Sequence, residues 1–212
     1  NNILEVRYAI RELIQEARRF EKKTKSKVLY LTAGDPAKYD FKPPQEFIEA
    51  LIEVISENSH YYGGIIGPDV LREALIEFEH RKHAYRIGIE NIYVTTGSIE
   101  GIASIMVAAF NKSDTIILPD PYYPPYLALC KAHGMKNVTF YPLLEDENWR
   151  PDIDCIRKIV ENKGAKAIFI VNPNNPTGSV IPSKDLLEIR DIAGENNCML
   201  VVDEVYDKLV YD

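Results

Sequence analysis

Asparagine, aspartate, serine and tyrosine recur in this sequence where apolar runs stop. The run Ala167–Val171 breaks into NPNNPTG, residues 172–178. Three other runs end alike. Ile92–Thr96 gives way to Gly97-Ser98-Ile99-Glu100-Gly101, Thr115–Leu118 to PDPYYPPY, and Met199–Val202 to Asp203-Glu204-Val205-Tyr206. Each ending has chemistry within reach. Gly97 allows close backbone approach, and a helix beginning at Ser98 and Ile99 would offer N–H groups and a positive dipole end to an anion. Prolines around Tyr123 would hold its ring against a flat heterocycle. Asn175 offers an amide. Asp203, directly after an apolar strand, is half buried and needs a partner. A protonated ring nitrogen would serve, and Tyr206 could donate to a ring oxygen.

Singly, each ending also fits an ordinary role: a strand-to-helix turn, an aromatic corner closing the core, a surface turn, or an aspartate N-cap. Together they describe a phosphorylated aromatic heterocycle with a basic nitrogen and a phenolic oxygen. Pyridoxal phosphate has those features, and an acidic partner on its pyridine nitrogen makes the ring an electron sink.

The elements that must position these residues are legible from periodicity. Residues 4–23 read as an amphipathic helix, with Val6, Ile10, Ile14 and Ala17 near helical spacing. KVLYLTAGDP reads as a short strand and a turn at Gly34-Asp35-Pro36. Helices are predicted from about Pro44 to Asn58 and from Pro68 onward, the latter with Leu71, Leu75 and Phe78 on one face. Five apolar runs then read as strands: the four named above and Val138–Tyr141. Helix-like segments lie between most of them. This alternation predicts an α/β domain with a largely parallel sheet covered on both faces. In such sheets ligands bind beyond the carboxyl ends of the strands, where the four polar stretches fall.

Bulk properties narrow the classes. The chain has 212 residues, 46% hydrophobic and 27% charged, the profile of a globular protein. A net charge of -7 argues against nucleic-acid binding and against anionic membranes. No apolar run reaches membrane-spanning length. Cys130, Cys155 and Cys198 are far apart and in no metal spacing, so free thiols in a reducing, cytoplasmic compartment are expected, with no metal site. No G-x-G-x-x-G follows the first strand, against a nicotinamide dehydrogenase.

With these residues in view, the chain resembles a class I/II aminotransferase of fold type I, nearest to archaeal alanine- or aspartate-aminotransferase-like enzymes. The resemblance spans nearly all residues. It rests on YLTAGDP, YYGGIIGPDVLREAL, VTTGSIEGI, PDPYYPPY, WRPDID, VNPNNPTG and VVDEVYDKLVYD in this order. It implies a three-layer, mostly parallel sheet, with residues 1–45 belonging to a small domain and 46–212 to part of a large pyridoxal-phosphate-binding domain. It assigns Asn175 and Tyr206 to the cofactor's phenolic oxygen and Asp203 to its pyridine nitrogen. Tyr123 would stack on the ring. Gly97, Ser98 and Ile99 would hold the phosphate, and Tyr62 would reach the phosphate in a partner subunit of a homodimer. Gly34 would lie near the substrate carboxylate, together with Asn175.

The implied reaction moves an amino group from an amino acid, of alanine or aspartate type, to a 2-oxo acid such as 2-oxoglutarate. The Schiff-base lysine of the resemblance lies a few dozen residues beyond DEVY, past Asp212, and its carboxylate-binding arginine further still. The expectation is therefore a truncated form, incomplete in its C-terminal strands and small domain, with unpaired strand edges. A catalytically inert cofactor-binding or interaction fragment, and a carbon–sulfur lyase of the same fold type, are the alternative readings.

Overall fold

Alternation along the apolar runs decides the architecture. In the strand Ala167–Val171 every residue is buried. Ile168 and Ile170 face one core cluster, and Ala167, Phe169 and Val171 face another. A strand buried on both faces needs a helical layer on each side. In this computed structural model, which describes residues 9–31, 34, 37, 41–57, 59, 61–83 and 87–211, both layers are present.

The described chain divides into two compact units, the first comprising residues 9–95 and the second residues from Thr96 onward. The second unit contains α4 (Ser98–Ala109), β1 (Thr115–Asp120), α5 (Pro124–His133), β2 (Asn137–Leu144), β3 (Arg150–Pro151), α6 (Ile153–Lys163), β4 (Ala167–Val171), α7 (Ser183–Glu195) and β5 (Met199–Asp203). The sheet order is β3-β2-β1-β4-β5. β1 runs parallel to β2 and β4, β4 runs parallel to β5, and only the short β3 is antiparallel. One core cluster joins Ile117, Ile168 and Ile170 to Ile156 and Ile159 of α6 and Ile189 and Ile192 of α7. The other joins Ile116, Leu118 and Phe169 to Ile102 and Met106 of α4 and Tyr126 and Cys130 of α5. This is the expected three-layer α/β/α arrangement.

Local signals set the element ends. Asp152 caps α6 by accepting from the Cys155 N–H at 2.9 Å. Gly134 and Gly164 end α5 and α6 in the left-handed conformation. Asp185, fully buried in the first turn of α7, receives Nε and Nη2 of Arg150 at 2.5 and 2.8 Å. This fork ties β3 to α7, and the Asp185 bond raises the arginine's pKa above its ordinary value.

The first unit carries α1 (Ala9–Thr24), α2 (Gln45–Ser56) and α3 (Asp69–His83). All three were predicted, although residues 4–8 of the first and Asn58 of the second fall outside the described residues. Arg72 of α3 is 5% exposed. It donates to the carbonyls of Ile92 and Ile89 at 3.1 and 2.5 Å and pairs with Asp69.

Two predicted strands are corrected here. Val28–Leu31 forms no strand, and Leu29 and Leu31 are 80% and 84% exposed. Ile92–Thr96 is no strand either. Its backbone is extended at Ile92, and Val94 donates to the Ile66 carbonyl at 3.1 Å. A strand exists only with a ladder partner, and among the described residues neither run has one. Of the turn Gly34-Asp35-Pro36, only Gly34 is described.

Candidate functional site

The site begins with strand register. Val171 pairs with Asp203 across β4 and β5, and Asn172 continues the ladder by donating to the Asp203 carbonyl at 3.0 Å. Two loops therefore leave the sheet side by side, one carrying Asn175 and the other Tyr206.

The loop after β4 divides the labour of its three asparagines. Asn172 accepts from the Ile181 N–H through Oδ1 at 2.9 Å. Asn174, 5% exposed, accepts through Oδ1 from the Thr177 N–H and hydroxyl at 3.2 and 2.9 Å. Its carbonyl accepts from Gly178 at 2.8 Å, where a φ of 73° suits glycine. Both side chains thus build the turn. Asn175 is left to face Tyr206, with Nδ2 at 3.5 Å from the phenol oxygen. Sequence reading singled out Asn175 alone, and the structure gives the other two their scaffolding role.

Asp203 ends β5 half buried. It is not a helix N-cap. Oδ1 accepts from the Val205 N–H at 3.0 Å, opening the turn that carries Tyr206. Oδ2 accepts from the Tyr126 hydroxyl of α5. A carboxylate has about four acceptor positions, so Asp203 keeps capacity beyond these two bonds. Among the described residues no lysine or arginine forms an ion pair with it. A half-buried anion held by neutral donors is suited to a cationic ligand.

Tyr126 was given no role in the sequence reading. It is 1% exposed, and burial, followed by its bond to Asp203, raises its pKa far above the ordinary phenol value, so it remains a donor. Its ring meets Tyr123 edge-on at 5.5 Å and Phe169 at 6.1 Å. The signal was available: Tyr126, in the first turn of α5, follows its N-cap residue Tyr123 by three positions.

The fourth wall is the start of α4. Gly97 is its N-cap, with φ 83° and open space where a Cβ would stand. Ser98 and Ile99 occupy the first turn, whose N–H groups point out of the helix end. Glu100 turns its carboxylate back onto the Thr96 N–H at 2.5 Å, tying the incoming chain to this turn.

Ser98, Tyr123, Tyr126, Val171, Asn175, Asp203, Val205 and Tyr206 line one cavity of about 90 Å³. Beside it, sharing Ser98, Asp203 and Val205, lies an apolar space of about 350 Å³ between α4 and β5. Among the described residues no further strand covers that side of β5.

This donor set fits pyridoxal phosphate. Two donors converge at Asn175 and Tyr206, suited to one shared oxygen. The Asp203 carboxylate, held by two neutral donors, suits a protonated nitrogen. The start of α4, with glycine at its N-cap, suits an anion. Gly34 and Tyr62 belong to the first compact unit, where both are exposed. No lysine lines the cavity among the described residues. Lys208 lies in the same turn as Tyr206, its side chain 64% exposed, with Nζ 3.8 Å from Asp207. The described residues contain no cluster of three or more metal-ligating side chains, and no described helix is long and apolar enough to cross a membrane.

Comparison with known proteins gives this geometry a context. The family profile "Aminotransferase class I and II" matches residues 26–212. Glutamate-pyruvate aminotransferase AlaA of Haemophilus influenzae is 36% identical over 198 residues, covering 93% of this chain and 48% of that protein. The aspartate aminotransferase of Pyrococcus horikoshii is 32% identical over 207 residues, 97% of this chain and 50% of that protein. Among solved structures, the alanine aminotransferase from Pyrococcus furiosus superposes over 100% of this chain and 53% of its own, with a TM-score of 0.93 and 42% identity. The chain thus spans about half the length of the relatives it matches.

Proposed function

Because this chain belongs to the class I and II aminotransferases, we propose that it supplies most of a pyridoxal-phosphate pocket in an enzyme that moves an amino group from an amino acid to a 2-oxo acid. The observation that carries this reading is the meeting of Asn175, Asp203, Tyr206, Tyr123 and Ser98 on one cavity, brought there by four separate chain segments. When bound, the cofactor supplies an electron sink.

The chain's own residues do the rest. Asp203 holds a proton on the ring nitrogen through its negative charge. That carboxylate accepts from the Tyr126 hydroxyl and the Val205 N–H. Asn175 and Tyr206 bind the phenolic oxygen. Ser98 and the first-turn N–H groups at Ser98 and Ile99 bind the phosphate, with Gly97 admitting it close to the backbone. Tyr123 covers one face of the ring. Val171, 2% exposed, gives the cavity a dry apolar wall, which strengthens each electrostatic contact beside it.

We further propose that Gly34 and Asn175 meet the substrate carboxylate and that Tyr62 serves the phosphate of a partner subunit in a homodimer. Residues 1–45 are assigned to the small domain and 46–212 to the large one. The lysine that carries the cofactor is placed outside these 212 residues. Relatives named for alanine, glutamate–pyruvate and aspartate transfer support alanine or aspartate as donor and 2-oxoglutarate as acceptor.

Titration of the natural protein with pyridoxal phosphate, followed by addition of L-alanine or L-aspartate, tests the reading. The expected result is saturable binding with a visible absorbance change, then loss of that absorbance as pyruvate or oxaloacetate appears. Binding no tighter than to an unrelated lysine-containing protein overturns it.

A further inference from the structure

We propose that Tyr126 is a positioning residue for the cofactor site, joining its ring-stacking wall to its carboxylate wall through a single side chain. The inference rests on the pyridoxal-phosphate reading above. Its basis is contact geometry. The Tyr126 hydroxyl donates to Oδ2 of Asp203, 77 residues away in sequence. The same residue's ring supports Tyr123 edge-on at 5.5 Å. Its ring also meets that of Phe169 of β4 at 6.1 Å, tilted by 48°. Tyr126 is 1% exposed, and its hydroxyl is committed to Asp203.

The physical consequence follows from what holds Asp203. The Val205 N–H fixes only Oδ1, and a carboxylate held at one oxygen can still swing about that bond. A second donor on Oδ2 sets the plane of the carboxylate and aims its remaining lone pairs into the cavity. Tyr126 does not line up with a transferred atom. It acts through Asp203 and Tyr123.

The test compares pyridoxal-phosphate affinity in the natural protein and in Tyr126→Phe, Asp203→Asn and the double variant. Tyr126→Phe keeps the ring and its support of Tyr123 but removes the hydroxyl. The expected result is about tenfold weaker binding, the scale of one hydrogen bond to a charged group. It should also change the pH dependence of the bound cofactor's absorbance. In the Asp203→Asn background the same substitution should add little, because the carboxylate it served is gone. Tyr141→Phe is the control. Tyr141 is as buried, and its hydroxyl donates to the Phe169 carbonyl at 3.1 Å, so it should lose stability without losing cofactor.

Unchanged affinity and an unchanged pH profile in Tyr126→Phe overturn the inference while leaving the cofactor reading intact. So does an equal loss with and without Asp203. Failure of the natural protein to bind pyridoxal phosphate overturns both. If Tyr126→Phe does not fold, 3-fluorotyrosine at this position retains the bulk with a more acidic hydroxyl. A changed affinity then supports the role, and an unchanged one overturns it.

Discussion

Val171 and Asp203 are register partners on neighbouring parallel strands. This one pairing sets the heights at which two distant loops leave the sheet. Asn175 and Tyr206 follow their strand ends closely and come within 3.5 Å of one another. A slip of one residue in β5 would turn Asp203 to the opposite face and take Tyr206 with it.

Asp203→Asn tests the charge at that strand end. The substitution keeps shape and an acceptor but removes the anion. Amino transfer by the natural protein should fall on the order of 100-fold or more, the scale of losing one preorganised electrostatic group. Steady-state kinetics with an amino acid and a 2-oxo acid check this, and far-UV circular dichroism should be unchanged.

The asparagines of the loop should separate cleanly. Asn174→Ala strips the acceptor for the Thr177 N–H and hydroxyl, and should cost about 1–3 kcal/mol of stability in a urea titration. Asn175→Ala should leave the urea midpoint nearly unchanged and instead weaken pyridoxal-phosphate binding by about tenfold.

The cysteines give a pH-dependent readout. Burial pushes the Cys130 and Cys198 thiols up to about 11, and it raises that of the partly exposed Cys155 as well. At pH 8 a thiol of this kind holds about one part in a thousand as thiolate. Iodoacetamide should therefore label Cys155 first, and the other two only after unfolding, as read by peptide mass. The folded pKa exceeds the unfolded one for both buried thiols. Their contribution to stability is thus complete below about pH 9 and should fade as pH rises toward about 11.

The outer edge of β5 should be adhesive in residues 1–212 expressed alone. Met199 and Val202 of β5, and Val205 just beyond it, are 45%, 43% and 58% exposed, and Val202 and Val205 line the apolar space between α4 and β5. Sedimentation should show concentration-dependent self-association, reduced severalfold in Val202→Lys, since a charge on an edge strand opposes pairing. Identical profiles for the two chains would speak against this edge as the sticky surface.

Much of the fold was legible because its signals are local. Continuous apolar runs in Thr115–Asp120 and Ala167–Val171, proline at the start of α5, and Gly134 and Gly164 after the helices each act within a few residues. Val28–Leu31 and Ile92–Thr96 were misread for the converse reason. Both are apolar enough for a strand, but a strand is a property of two segments, and no local pattern reveals whether the second is in place.

The candidate site divides along the same line. By itself the sequence determined which residue types follow each apolar run: glycine and serine at 97 and 98, asparagine at 175, aspartate at 203, tyrosine at 206. These choices are chemical, and they are written in the chain. Only the tertiary structure decided that Asn172 and Asn174 brace the loop while Asn175 faces the cavity, because one hydrogen-bonding pattern leaves one amide over. Only it brought Tyr126 to Asp203, because helix packing on the sheet sets the first turn of α5 against Phe169 of β4 and the end of β5. Residue identity resides in the one-dimensional chain, whereas a contact between residues 77 positions apart arises from sheet order and register.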